Sequence, residues 1–84
     1  MADFEKIKDE KLGDVTGGAR RYIRNSDAGY ANIRSGPGTR YNCEYSLNNG
    51  CSVNTTGYRV YSEADGYDWV ELDDGNWIAA HLLG

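Results

Sequence analysis

No stretch of the 84-residue chain approaches the roughly 18 consecutive apolar residues that a membrane-spanning helix needs. The N-terminal stretch is charged throughout and lacks an apolar core of about 7–15 residues, which excludes a Sec-type signal. Positive charge is scarce. Nine Lys and Arg face thirteen Asp and Glu, a net charge of −4. That balance argues against a general electrostatic grip on nucleic acid or anionic lipid, while leaving room for a local basic patch at Arg20, Arg21 and Arg24. Histidine occurs once, as His81, and cysteine twice. A thiol site built from Cys43, Cys51 and His81 would need an orienting group and an oxyanion hole, and nothing in the sequence suggests either. Two Cys and one His have no recognisable zinc spacing. The carboxylates Glu63, Asp65, Asp68, Asp73 and Asp74 do not fit a calcium loop and read as solvated turn residues. The chain is therefore expected to bind rather than catalyse, with no metal and no cofactor.

Aromatic residues are plentiful: seven Tyr, two Trp and one Phe. They divide the chain. Only Phe4 precedes Gly18, as do all the lysines (Lys6, Lys8, Lys11), whereas every arginine follows it. Segment 1–16 reads as a weak amphipathic helix. At 100° per residue, Phe4, Ile7, Leu12 and Val15 fall in one sector and charged residues fill most of the rest. Gly13 interrupts the pattern, and a single helix this short is marginal in water. The segment is expected to be disordered or weakly helical until something offers it an apolar groove.

These four apolar positions, followed by Thr16-Gly17-Gly18, resemble a double-glycine leader of the bacteriocin type. The resemblance implies an exporter: an ABC transporter with a papain-like cysteine protease domain that binds the leader helix and cuts after the second glycine. A narrow subsite beside a thiol nucleophile selects Gly-Gly by excluding side chains. The other reading is an N-terminal arm with a flexible Gly-Gly hinge.

Residues 30–84 show strand and turn punctuation without a helical period. Tyr30–Arg34 is a short strand candidate that runs into Ser35-Gly-Pro-Gly-Thr39, a loop. Strand candidates at 41–47, 51–56, 58–61, 67–72 and 76–80 are separated by Asn48-Asn49-Gly50, Gly57, Asp65-Gly66 and Asp73-Asp74-Gly75. Such spacing argues for an all-β barrel or sandwich, closed by a single helical turn in the final AAHLLG. Ile33, Leu47, Val53, Val60, Val70, Leu72 and Ile78 are the expected core. Gly36 and Gly38 are expected to supply backbone angles that L-residues avoid.

The stretches ANIRSGPGTRYN, LNNGCSV and GYDWVELDDGNWIAAHLL resemble the bacterial Src-homology-3 (SH3) domain family. Asn76 stands where that family commonly has Gly. The resemblance implies a small SH3-like barrel of five to seven short strands over 28–84. It also implies an aromatic groove for cell-wall (peptidoglycan) peptides or other extended ligands. Tyr30, Asn32, Tyr41, Tyr61, Tyr67 and Trp69 are the matching candidates for ligand contact. A barrel of this size cannot bury all its large aromatics, so some groove is expected on physical grounds as well.

Three segments follow: a leader at 1–18, a mobile basic arm at 19–27 and a barrel at 28–84. Residues 19–84 carry six Arg and eight acidic residues, a net charge of −2. If the leader is removed during export, the protein works as an extracellular monomer, where two cysteines usually pair. A Cys43–Cys51 bridge would then add about 2–3 kcal/mol. It requires a loose turn at Asn48-Asn49-Gly50, because a tight hairpin would set Cys51 opposite Leu47. The functional expectation is a bacteriocin-like exported protein that binds cell-wall or surface peptides. The alternatives are an interaction module inside the cell, or a secreted signalling peptide or toxin that does not bind the wall.

Overall fold

The computed structural model describes residues 18–84. They form an all-β unit of six strands: β1 (Arg20–Tyr22), β2 (Tyr30–Arg34), β3 (Cys43–Asn48), β4 (Ser52–Ser62), β5 (Tyr67–Leu72) and β6 (Trp77–Ala79). A single 3₁₀ turn at Ala80–Leu82 follows, as the final apolar residues suggest. All strand pairings are antiparallel, in the order β1-β4-β5-β6-β2-β3. The sheet curls into a half-barrel. Its β1 edge is met by the last residues of the chain: Ile23 bridges Leu83, and Gly84 N donates to Tyr22 O at 2.8 Å. Fold class and strand number are those expected for a small SH3-like barrel. No helix among the described residues is long and apolar enough to cross a membrane. Phe4, Ile7, Leu12, Val15 and Gly17 lie outside the described residues.

Strand alternation sorts the core into two clusters. Ile23, Ala31, Ile33, Val53, Val70, Leu72, Ile78 and Leu83 fill the concave side. Trp69, Trp77 and Ala79 form a second cluster on the opposite face of β5 and β6, covered by Tyr58, Val60, Tyr67 and Leu82. β5 and β6 are thus buried on both faces, which is why Trp77 is only 1% exposed on so small a body. Leu47 and Val60, expected in the core, are half-buried at its margin. β4 runs unbroken through Gly57, where the sequence suggested a break. Gly57 takes φ 100° at a register shift between Thr55 and Arg59, so it makes a bulge within one strand rather than a turn between two.

Two expectations are corrected. Residues 19–27 are not a mobile arm. β1 pairs with β4, and Ile23 is buried to 2%. Asn25 accepts from the backbone N–H of Asp27 and Ala28 and donates to Tyr30 O, which fixes the turn into β2. Asn25 and Asn49 also exchange hydrogen bonds at 2.8 and 3.1 Å, fastening this turn to the one after β3. Short-range pattern could not reveal β1, because a three-residue strand has no alternation to read. Cys43 and Cys51 are free thiols, not a bridge. β3 pairs with β2 and not with β4, so the Asn48-Asn49-Gly50 turn is not a hairpin. Cys51 N donates to Asn48 O, while Cys43 lies at the far end of β3, about 16 Å away at 3.3 Å per residue. A disulfide needs Cα atoms within about 7 Å.

The Ser35–Thr39 loop is held by space rather than by unusual angles. The positive-φ glycines do not include Gly36 or Gly38. Instead the loop wraps the Tyr41 ring. A Cβ on Gly36 would stand 2.6 Å from that ring, and one on Gly38 would stand 3.4 Å away. Gly36→Ala should therefore cost about 1–3 kcal/mol by overpacking, read as a lowered midpoint in chemical denaturation. The penalty should largely vanish in a Tyr41→Ala background. An equal penalty in both backgrounds would refute the close-approach explanation.

Candidate functional site

β2 places Tyr30, Asn32 and Arg34 on one face and turns Ala31 and Ile33 into the core, as a period of two requires. β5 contributes Tyr67 and Trp69 by the same alternation. The two sets meet in a groove of about 180 Å³, floored by Ala79, Leu82 and the nearly buried Trp69. Four of the six residues expected to contact ligand are thus brought together: Tyr30, Asn32, Tyr67 and Trp69. Tyr41 and Tyr61 line a neighbouring cleft of about 330 Å³ between the Pro37–Tyr41 loop and the β4–β5 turn. Thr39 belongs to both and forms the ridge between them.

The groove wall is held by ring contacts and hydrogen bonds. The Tyr67 ring stacks on Trp69 at 5.8 Å and meets His81 edge-on at 4.5 Å. Arg34 Nη1 donates to Thr39 O at 3.2 Å and to Tyr41 O at 3.0 Å, tying the base of the loop to β2. Asp65 fixes the ridge. Its Oδ2 accepts from Thr39 N at 2.9 Å and from the Trp69 indole N–H at 3.2 Å, while its Oδ1 accepts from the Thr39 hydroxyl at 2.6 Å. One carboxylate therefore joins the loop after β2, the turn after β4 and the aromatic floor of the groove. The Thr39 hydroxyl, with further donors at the Thr39 backbone, Ser62 and Trp69, holds the Asp65 carboxyl below the usual carboxylate range against some opposing desolvation. Desolvation, reinforced by the charge of Asp65 and partly offset by Arg34, raises the Tyr67 phenol above its ordinary value. Tyr67 therefore keeps its proton at neutral pH.

A second carboxylate ties the edge strand β3 to the β5–β6 turn. The Tyr45 hydroxyl on β3 donates to Asp74 Oδ2 in the β5–β6 turn. Desolvation, then the hydrogen bond and charge of Asp74, push the Tyr45 phenol up to about 12. The Asp74 carboxyl is lowered: desolvation opposes this but is outweighed by hydrogen bonds from Tyr45, from Asn76 and from its own backbone. Sequence reading took Asp65 and Asp74 for solvated turn residues, yet both act as hydrogen-bond hubs. Arg34 and Thr39 were missed as site residues. The alternation that selects Tyr30 and Asn32 also selects Arg34, so that signal was present. Nothing local in the sequence announces that Thr39 meets Asp65, 26 residues away.

Gly18 is described, and it packs against β4. A Cβ there would fall 1.8 Å from Thr55 O. The next residue is paired to the same strand: Thr55 N donates to Ala19 O at 3.0 Å, and Ala19 N donates to Thr55 Oγ1 at 3.2 Å. Glycine at 18 thus has a steric reason within the barrel itself.

Asp65 should govern part of the acid stability. Its folded-state acidity is lowered, so its contribution is fully present above the unfolded value near pH 4 and is lost as pH falls through the lower folded value. Asp65→Ala leaves the Trp69 indole without its partner and should cost about 1–3 kcal/mol at pH 7. The penalty should shrink toward pH 2, measured by denaturant titration across pH. A penalty independent of pH would contradict the assignment.

Comparison with protein-family models, with curated proteins and with solved structures finds no match to this chain.

Proposed function

We propose that the protein is a bacteriocin-like exported binding module. In this reading residues 1–18 are a removable leader, and the barrel docks extended peptides of the bacterial cell wall or surface. The observation that carries the binding half is the groove: a rigid aromatic wall of Tyr67 and Trp69 on an apolar floor, rimmed by Tyr30, Asn32 and Arg34. Amphipathic aromatics on a fixed frame suit an extended peptide, because little side-chain entropy is lost on contact. The export half rests on the leader-like spacing of Phe4, Ile7, Leu12 and Val15 before Gly17-Gly18. The partner on that side is an ABC exporter with a cysteine protease domain, and the product works outside the cell. The bond after Gly18 would have to be cut before β1 docks, since Ala19 is bonded to Thr55 once the barrel forms.

The packing of Gly18 favours a second reading. If the barrel alone demands glycine there, the N-terminal segment need not be a leader, and the protein is an interaction module that keeps its arm. Recovering the protein from culture medium of its producer tests both halves. Intact mass should place the N-terminus at Ala19, and the recovered protein should sediment with purified cell-wall sacculi. Tyr30→Ala should weaken sedimentation about tenfold, the loss expected for an aromatic anchor. A protein that keeps residues 1–18 and does not sediment would overturn the proposal in favour of the second reading.

A further inference from the structure

We infer that the groove on β2 and β5 captures the C-terminal carboxylate of its peptide ligand, with Arg34 as the charged anchor. This rests on the peptide-binding reading above and specifies which chemical group is recognised. The inventory of partners supports it. Arg34 uses Nη1 for Thr39 O and Tyr41 O, while its Nε and Nη2 have no partner among the described residues. Those two nitrogens are one edge of the guanidinium fork, the edge that matches a carboxylate bidentately. The Asn32 amide and the Tyr30 and Tyr67 hydroxyls, all lining the same groove, are likewise uncommitted among the described residues. Thr39 and Asn25, by contrast, are already engaged with Asp65 and with the backbone of the β1–β2 turn. The spare capacity is therefore concentrated in one cation and three donors.

Charge points the same way. The chain carries an acidic excess, yet no carboxylate lines this groove and Arg34 is its only formal charge. The nearby Asp65 lines the neighbouring cleft with its oxygens occupied by Thr39 and Trp69; its charge reaches Tyr67 on the groove wall, where that of Arg34 opposes it. A cation held in place by two backbone carbonyls, over an apolar floor, favours an anion more than an exposed arginine would. Size is compatible with a chain end. About 180 Å³ is small for a ligand pocket and accommodates a terminal residue better than a longer segment. The apolar floor of Ala79, Leu82 and Trp69 suits a small aliphatic terminal side chain.

The test uses the full chain and three synthetic forms of a cell-wall stem peptide, followed by calorimetry and by the NMR shifts of Asn32 and of the Trp69 indole. One form has a free C-terminal carboxylate and one is its carboxamide. The third is a carboxamide with an acidic side chain in the terminal residue. The free acid should bind at least tenfold more tightly than either carboxamide. Tyr67→Phe, which removes only a hydroxyl, should reduce that ratio. Arg34→Gln should abolish the ratio. Arg34→Lys, which keeps the charge but not the fork, should restore it only in part, with native tryptophan fluorescence confirming that both variants fold. Equal binding of acid and carboxamide would overturn the inference and leave peptide binding standing. So would recognition of the side-chain acid alone. If no form binds, the inference also fails, and sedimentation with sacculi then decides the broader reading separately.

Discussion

Asp65 stands where three parts of the chain meet. Its two oxygens take three donors: the backbone and hydroxyl of Thr39 in the loop after β2, and the indole of Trp69 on β5. The residue itself lies in the turn after β4, where its own backbone N–H donates to Ser62 Oγ at 3.2 Å. A loop of the composition Ser-Gly-Pro-Gly-Thr has little side-chain mass with which to hold itself against a sheet. Arg34 and Asp65 both fix its far end, at Thr39 and Tyr41, and the Tyr41 ring fills the space left by Gly36. With that loop in place, Trp69 is covered and the groove acquires a wall and a ridge.

The same arrangement explains how so small a body uses so many aromatics. Trp77 and Trp69 are taken up by the second cluster, at 1% and 2% exposure, and stabilise the fold. Tyr45 ties the edge strand β3 to Asp74 in the β5–β6 turn. Tyr30 and Tyr61 stay exposed at 43% and 59%, on the rims of the two clefts. Tyr67 is between these classes. It packs on Trp69 and His81 yet keeps its hydroxyl at the groove, and that combination of fixed ring and free polar tip is what a recognition surface requires. Along β2 and β5 simple alternation divides the side chains: one face fills the barrel and the other lines the groove.

Much of this was legible in the sequence, and the reasons differ from element to element. The turns at Asn48-Asn49-Gly50, Asp65-Gly66 and Asp73-Asp74-Gly75 are chemical punctuation and appear where expected. Ile33, expected in the core, is fully buried there, and Tyr30 and Asn32, singled out by family resemblance, line the groove. Pairing between distant strands was not legible. β1 is too short to carry a pattern, and its place in the sheet depends on Thr55 and Gly84, both remote in sequence. The cysteines were judged from compartment chemistry, whereas the extended β3 keeps Cys43 at its start apart from Cys51 in the turn beyond its end. Gly36 was read as a conformational device, but its role is steric, set by a ring five residues later. In each case the deciding contact is tertiary, and local propensity has no access to it.

The claim on which the rest depends is that a single ionised carboxylate joins the loop to the groove floor. Two-dimensional NMR of the full chain, titrated from pH 7 to pH 2, tests it directly. The account predicts that the Thr39 amide and the Trp69 indole N–H shift together, with one shared midpoint below the ordinary aspartate value of about 3.9. Both protons should also exchange slowly with water while Asp65 is ionised. Separate midpoints for the two signals, or an indole proton that exchanges as freely as in an unfolded peptide, would contradict it.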